Sequence, residues 1–175
     1  GHGITTTPLQ LAKGYAIVTN GGFDVNPTII RENSEKLIKY KKRIIKENVS
    51  KKINPILRKI VTSKEGTANL ADIKGYEIGG KTGTAEKIIS GRYAPQKKFN
   101  TFASVFPISN PKFVLVVILD EPQINKEYIY NYRDGSNFKL KGSPRNTSGW
   151  TSVEVTGHIV EKIGPILATK YLEIN

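Results

Sequence analysis

Two apolar runs constrain the fold more than any other feature of the chain. "FNTFASVF" (Phe99–Phe106) and "FVLVVIL" (Phe113–Leu119) are strand-sized and rich in aromatic and β-branched residues. Only six residues, "PISNPK", lie between them. A parallel return needs a crossover of a dozen or more residues, so these strands must pair antiparallel through a turn built of proline, serine and asparagine. The second run reads as a fully buried strand. At seven residues it falls far short of the roughly 20 needed to span a bilayer.

Helical signals flank this hairpin. Thr7-Pro8 reads as an N-cap followed by proline in the first turn, and Leu9, Ala12 and Ala16 recur at helical spacing until Asn20-Gly21-Gly22 stops them. "DVNPTII" and "KRIIK" read as short strands of an arm or hairpin. Asn54-Pro55 repeats the cap-plus-proline signal. Ile56, Leu57, Ile60 and Val61 then predict one apolar face, with Gly66 as the stop. After the hairpin, Asp120 to Ser148 is a polar loop whose "YIYNY" suits a short edge strand used for packing rather than for holding a ligand. Thr151-Ser152-Val153-Glu154 fits a capping box, and Val153, Thr156, Val160, Ile163 and Leu167 form the stripe of a closing helix. No repeat or linker divides the chain. The predicted class is α+β, an antiparallel sheet flanked by helices, with residues 1–175 as one domain or a large part of one.

Composition excludes several functions. The chain has no cysteine, hence no disulfide framework and no thiol chemistry. Two histidines, His2 and His158, lie too far apart in sequence to suggest a metal site, and no cofactor is expected. The net charge of +12 includes the cluster "KLIKYKKRIIK" (Lys36–Lys46). A polyanion partner is one reading of it; a solvated hairpin is the plainer one, and without an aromatic platform or motif no nucleic acid is expected. "GHGITTTPLQ" is not a signal peptide. A chain that opens at Gly1 and contains no methionine is expected to begin partway through a gene product, with any anchoring segment before it.

The chemistry concentrates in "GGKTGTAEK" (Gly79–Lys87). Gly75 to Thr82 satisfies the phosphate-loop pattern G-x-x-x-x-G-K-[ST], and "VLVVILDE" could even supply a magnesium-binding acid. The context opposes that reading. No buried strand precedes Gly75, no helix pattern follows Lys81, and the hairpin is antiparallel. The better reading is an edge strand lining an acyl-transfer site. Lys81 and Gly83 would face one way and Thr82 and Thr84 the other. Glycine leaves the backbone approachable, lysine supplies positive charge, threonine hydroxyls can hold a carboxylate, and a strand N–H can donate to an oxyanion.

Taken together, the segments resemble the transpeptidase domain of penicillin-binding proteins. "GHGITTTPLQLAKGYAIVTNGG" is similar to that family's G-x-G-I-x-x-T-P-L-Q-L-A segment and its N-G-G stop. "EGTANLADIKGYEIGGKTGTAEK" is similar to its G-T-A…G-K-T-G-T-A-x-K segment, and "FASVFP" and "FVLVVILDEP" to the strands that follow. The likeness runs along nearly the whole chain and is nearest the class B enzymes of division or elongation. It implies the C-terminal part of a penicillin-binding/serine β-lactamase-like fold. It also implies a peptidoglycan D,D-transpeptidase acting through a serine acyl-enzyme, with D-Ala-D-Ala stem peptides and β-lactams as ligands and other cell-wall synthesis proteins as partners. Lys81 would then join the network around the nucleophile, Thr82 and Thr84 would bind the ligand carboxylate, the Thr84 N–H would serve the oxyanion, and Gly83 would keep the strand open. The protein would sit at the periplasmic face of a bacterial inner membrane, held by an N-terminal anchor.

Two departures stand out. No S-x-N occurs, and S-x-x-K occurs only as Ser109–Lys112 and Ser136–Lys139, in a turn and a loop. The nucleophile is therefore expected upstream of residue 1, and the chain alone is expected to be inactive. "GWTSVEV" (Gly149–Val155) also replaces the family's Ala-Ala-Pro-like start of the last helix. Within the same fold, a D,D-carboxypeptidase, a serine β-lactamase or a β-lactam sensor are alternatives. From another class, the alternative is a non-catalytic module binding anionic glycan through Lys36–Lys46.

Overall fold

The computed structural model describes residues 4–30, 42–143 and 145–171. Helix α1 (Pro8–Thr19) begins as the sequence predicts. Thr7 Oγ1 accepts from Gln10 N at 3.2 Å and the Gln10 side chain accepts from Thr7 N at 2.9 Å, which closes a capping box. Asn20 caps the other end, and Gly21 and Gly22 follow at positive φ. Gly22 has a second constraint: a Cβ there would stand 1.8 Å from the Ile45 carbonyl oxygen.

The predicted strands "DVNPTII" and "KRIIK" do not form. A single bridge, Phe23 to Arg43, joins the two segments. Pro27 has no N–H to extend a ladder. The contact rests on a few backbone bonds, Asp24 N to Lys42 O and Ile44 N to Gly22 O, each at 2.8 Å, and on the Arg43 guanidinium, which lies 4.2 Å from the Phe23 ring centroid and donates to Gly21 O. Lys36 to Lys41 of the basic cluster lie outside the described residues.

Helix α2 spans Glu47–Thr62 and carries Pro55 in its interior, so Asn54 is not a cap. Its amide donates to Thr19 O at 3.1 Å and Ile108 O at 3.2 Å, tying α1 and the sheet to α2. These bonds are made by the amide nitrogen; Oδ1, the atom a cap would use, is buried without a hydrogen-bond partner among the described residues. Leu57 and Val61 are buried whereas Ile56 is exposed, so the apolar face is rotated from the predicted one, with Ile53 and Ile60 at its sides. Gly66 lies past the helix end, where a Cβ would meet the Ile60 carbonyl oxygen at 2.3 Å.

The sheet has the order β1-β2-β3, with β1 Gly79–Ile89, β2 Arg92–Phe106 and β3 Phe113–Asp120, all antiparallel. Lys81 pairs with Ala103, Thr84 with Asn100 and Phe102 with Val117. β2 is longer than the predicted run because it continues into a hairpin with β1 beyond a register shift at Glu86/Lys87. β3 is less buried than predicted, with only Val117 in the core; it is the outer strand of the described sheet. On one face of β2, Phe102 and Phe106 pack with Val61, Leu70, Val153 and Val160. On the other, Val105 packs with Leu57 and Ile108.

Two short strands, β4 (Ile129–Asn131) and β5 (Lys139–Lys141), pair within the polar loop. Tyr130 is buried, its ring edge-on to Trp150 at 5.2 Å, so "YIYNY" packs as expected. The closing helix α3 (Ser152–Tyr171) lacks the predicted Thr151–Glu154 box. Thr151 Oγ1 instead donates to Thr147 O and accepts from Asn100, and Glu154 forms a buried ion pair with Arg133 at 2.8 Å. Ile163 is exposed. Gly164 takes the buried position against Tyr76, where a Cβ would stand 2.5 Å from the ring. The architecture is the predicted α+β one.

Candidate active site

The site residues lie on β1, whose outer edge has no ladder partner among the described strands. Two of its three glycines are set by internal packing. A Cβ on Gly79 would stand 2.8 Å from Ile108 Cγ1, and one on Gly80 would stand 2.5 Å from Ala103 O. Gly83 differs: its nearest neighbour, Thr101 Cβ, would be 3.9 Å away. Nothing inside the fold demands a glycine there, and its bareness leaves the strand open to approach from outside.

The period of two divides the site by face. Lys81 is exposed, its Nζ donates to Thr82 O at 2.8 Å, and with Gly83 it borders a surface formed by Leu11 and Tyr15 of α1. Thr82 borders this surface too. On the opposite face Thr82 and Thr84 line a cavity of about 360 Å³ together with Thr67, Arg145, Ser148 and Trp150. Thr82 Oγ1 lies 2.9 Å from Thr67 Oγ1. Thr84 Oγ1 accepts from Ser148 N at 3.1 Å and lies 2.9 Å from Ser148 Oγ. Ser148 Oγ donates its one proton to Gly83 O, so the hydroxyl–hydroxyl bond is donated by Thr84.

Lys81 thus lies within a strand and opens no helix, which removes the phosphate-loop alternative. The two S-x-x-K serines are not on helices. Ser109, in the β2–β3 turn, donates to the Glu77 carboxylate, and Ser136 is held in a turn by Asp134. The cavity residues Thr67, Arg145, Ser148 and Trp150 were not anticipated. Thr67 sits inside the quoted "EGTA" segment, but its spacing carries no hint of a bond to Thr82. Ser148 is 64 positions from Thr84 and has no local signal.

A family profile of penicillin-binding protein transpeptidase domains matches residues 1–137. The chain belongs to this family. It is 30% identical over 177 residues to the probable peptidoglycan D,D-transpeptidase FtsI of Caulobacter vibrioides, covering 97% of this chain and 28% of that protein. It is 34% identical over 128 residues to the probable peptidoglycan D,D-transpeptidase PenA of Neisseria flavescens, covering 73% and 31% respectively. The solved transpeptidase domain of Burkholderia pseudomallei penicillin-binding protein 3 superposes with a TM-score of 0.72 at 26% identity, over 99% of this chain and 45% of that one. The chain therefore spans less than a third of the length of these curated relatives. The transpeptidase profile ends before Arg145 and Ser148, whereas the structural likeness continues through them.

Proposed function

We propose that the protein is a peptidoglycan D,D-transpeptidase that binds penicillin and works through a serine acyl-enzyme, and that this chain supplies its substrate-binding strand. The observation that carries the reading is the arrangement at β1: an open edge, a bare Gly83, and the Thr82 and Thr84 hydroxyls turned into one cavity. The two hydroxyls take the terminal carboxylate of a D-Ala-D-Ala peptide or of a β-lactam. The Thr84 N–H donates to the oxyanion, and Lys81 supplies positive charge near the developing anion. A serine hydroxyl attacks the carbonyl, its proton passes to a neighbouring base, and terminal D-Ala departs as the amine. A second stem-peptide amine then takes the acyl group.

In this reading the S-x-x-K serine, its lysine and the S-x-N motif belong to a part of the protein preceding Gly1. That part also holds the membrane anchor that places the domain at the periplasmic face beside other cell-wall synthesis proteins. Among the described residues no helix is long and apolar enough to cross a membrane. The relatives named as D,D-transpeptidases support the assignment. Incubating the full-length protein with fluorescent penicillin tests it. A label that survives denaturation and disappears when the upstream S-x-x-K serine is replaced is the expected result; an unlabelled protein refutes the assignment.

A further inference from the structure

We infer that Asn100 is a positioning residue: it sets where the Thr84 hydroxyl points by anchoring both ends of the turn that carries Ser148. The inference rests on the reading of Thr84 as a carboxylate ligand.

Asn100 lies on β2, fully buried, as the cross-strand partner of Thr84 on β1. Its burial is costly. The side-chain Oδ1 has no hydrogen-bond partner among the described residues, and a buried acceptor left unpaired opposes folding. An apolar side chain of similar size would carry no such acceptor. The amide is accounted for by what its nitrogen holds.

Nδ2 has two protons, and both go to one segment. It donates to Asn146 Oδ1 at 3.1 Å and to Thr151 Oγ1 at 2.8 Å. The neighbours allow no other orientation. Thr151 Oγ1 gives its own proton to Thr147 O, so towards Asn100 it can only accept. Asn146 donates through its nitrogen to Pro122 O, which turns its Oδ1 to Asn100. A flipped Asn100 amide would set an oxygen against two acceptors.

The two contacts bracket Ser148, one before it in the chain and one after. Between them the backbone makes a single turn, with Trp150 N donating to Thr147 O at 3.0 Å and Thr151 N to Ser148 O at 3.2 Å. That turn presents the Ser148 N–H to Thr84 Oγ1 at 3.1 Å and the Ser148 hydroxyl at 2.9 Å. A threonine hydroxyl rotates to suit its partners, so these two bonds fix its direction. β2 therefore sets both the strand that carries Thr84 and, through Asn100, the group that aims its hydroxyl.

A residue that only supports the fold and a residue that aims this hydroxyl differ in one respect. General loosening slows every ligand alike. A misdirected Thr84 hydroxyl slows the ligand whose carboxylate it holds.

The test is acylation of the full-length protein by benzylpenicillin and by its methyl ester, each in competition with fluorescent penicillin, with the melting temperature of every variant measured alongside. The wild type is expected to favour the acid. Asn100→Leu should lower the acid-to-ester ratio of rates about tenfold, within the coupling range of residues that share one hydrogen-bond network. In a Thr84→Val background the same substitution should still lower the melting temperature but leave the ratio where it was, because the hydroxyl it acts through is gone. Thr151→Val removes one acceptor of Asn100 at a half-buried position and should shift the ratio the same way by less. It carries the test should Asn100→Leu fail to fold. An unchanged ratio in both variants, or a shift that persists without the Thr84 hydroxyl, overturns the inference and leaves Asn100 a support of the fold alone. Equal acylation of the wild type by acid and ester removes the carboxylate role of Thr84 and the inference with it. An unlabelled wild type overturns the transpeptidase assignment itself.

Discussion

The Thr84 hydroxyl is bonded in both senses to one residue: it accepts from the Ser148 N–H and donates to the Ser148 Oγ. Its proton is therefore occupied in the unliganded protein. In the proposed reading, a ligand carboxylate would draw that O–H donor away from a neutral oxygen, an exchange that favours the charged acceptor because charge-assisted bonds are roughly twice as strong.

Replacing Thr84 by Val should harm both folding and acylation. It removes the proposed donor to a ligand carboxylate, worth about 1.5–3 kcal/mol, or about a ten- to hundredfold loss of acylation rate where the bond tightens in the transition state. It also leaves the Ser148 N–H without its acceptor, at a cost of about 1–3 kcal/mol. Ser148→Ala keeps that N–H bond but deletes a hydroxyl that donates to Gly83 O and accepts from Thr84, so its stability loss should be about 1–3 kcal/mol. Urea denaturation and penicillin acylation kinetics of both variants decide the matter. Acylation by Thr84→Val at the wild-type rate would mean that Thr84 is not a carboxylate ligand.

Two glycines three residues apart, Gly80 and Gly83, should respond in opposite ways. Gly80→Ala drives a methyl against Ala103 O and the Phe102 ring, both inside the sheet, and should destabilise the fold by about 1–3 kcal/mol as overpacking does. Gly83→Ala meets nothing closer than 3.9 Å and should fold normally. Its methyl would stand on the surface that a ligand approaches, so slower acylation with an unchanged melting temperature is the expected result. Equal melting losses for the two variants would contradict this division.

The contrast between Thr7-Pro8 and Asn54-Pro55 shows where a sequence can and cannot be read. The two dipeptides carry the same local signal. Thr7 caps a helix because its side chain reaches its own third residue. Asn54 does not, because the helix already runs from Glu47 through it, and its amide nitrogen reaches Thr19 O and Ile108 O, distant in sequence. The site divides the same way. Alternation along β1 depends only on the strand period, so the facing of Lys81 and of Thr82 and Thr84 was legible. The bonds of Ser148 and the placing of Arg145 depend on how the Asp120–Ser148 loop returns to the sheet, and no spacing encodes that. The rotated faces of α2 and α3 have a similar cause: Gly164 is buried because the Tyr76 ring needs the space.

Alkaline pH should loosen the packing of α3. Burial, and then the bond to Glu154, push the Tyr128 hydroxyl up to about 12. A raised folded pKa means that the neutral hydroxyl is favoured in the native state. That stabilisation is fully present below the unfolded value near 10 and is lost as pH rises through the folded one. Denaturation midpoints should fall between about pH 10 and 12, and Tyr128→Phe should flatten that part of the profile. An identical slope in the variant would assign the loss to other groups.

Residues 1–175 alone should neither hydrolyse penicillin nor retain it covalently. An acyl-enzyme needs a serine whose hydroxyl has a base in reach. Ser109 donates to a carboxylate in a turn, Ser136 is held in a loop turn, and Ser148 and Ser152 are buried with their protons given to backbone carbonyls. Lys81 is on the face of β1 opposite to Ser148 and its ammonium is engaged with Thr82 O. The chain would also be only marginally stable by itself, because the outer edges of β1 and β3 have no ladder partner among the described strands and β3 is mostly half-buried. The experiment is to purify the short chain, establish its fold by circular dichroism, incubate it with fluorescent penicillin beside the full-length protein, and denature both before electrophoresis. A label on the full-length protein alone is the expected pattern. A stable label on the short chain that Ser109→Ala or Ser136→Ala removes would place the nucleophile within these residues and overturn its assignment to the part preceding Gly1.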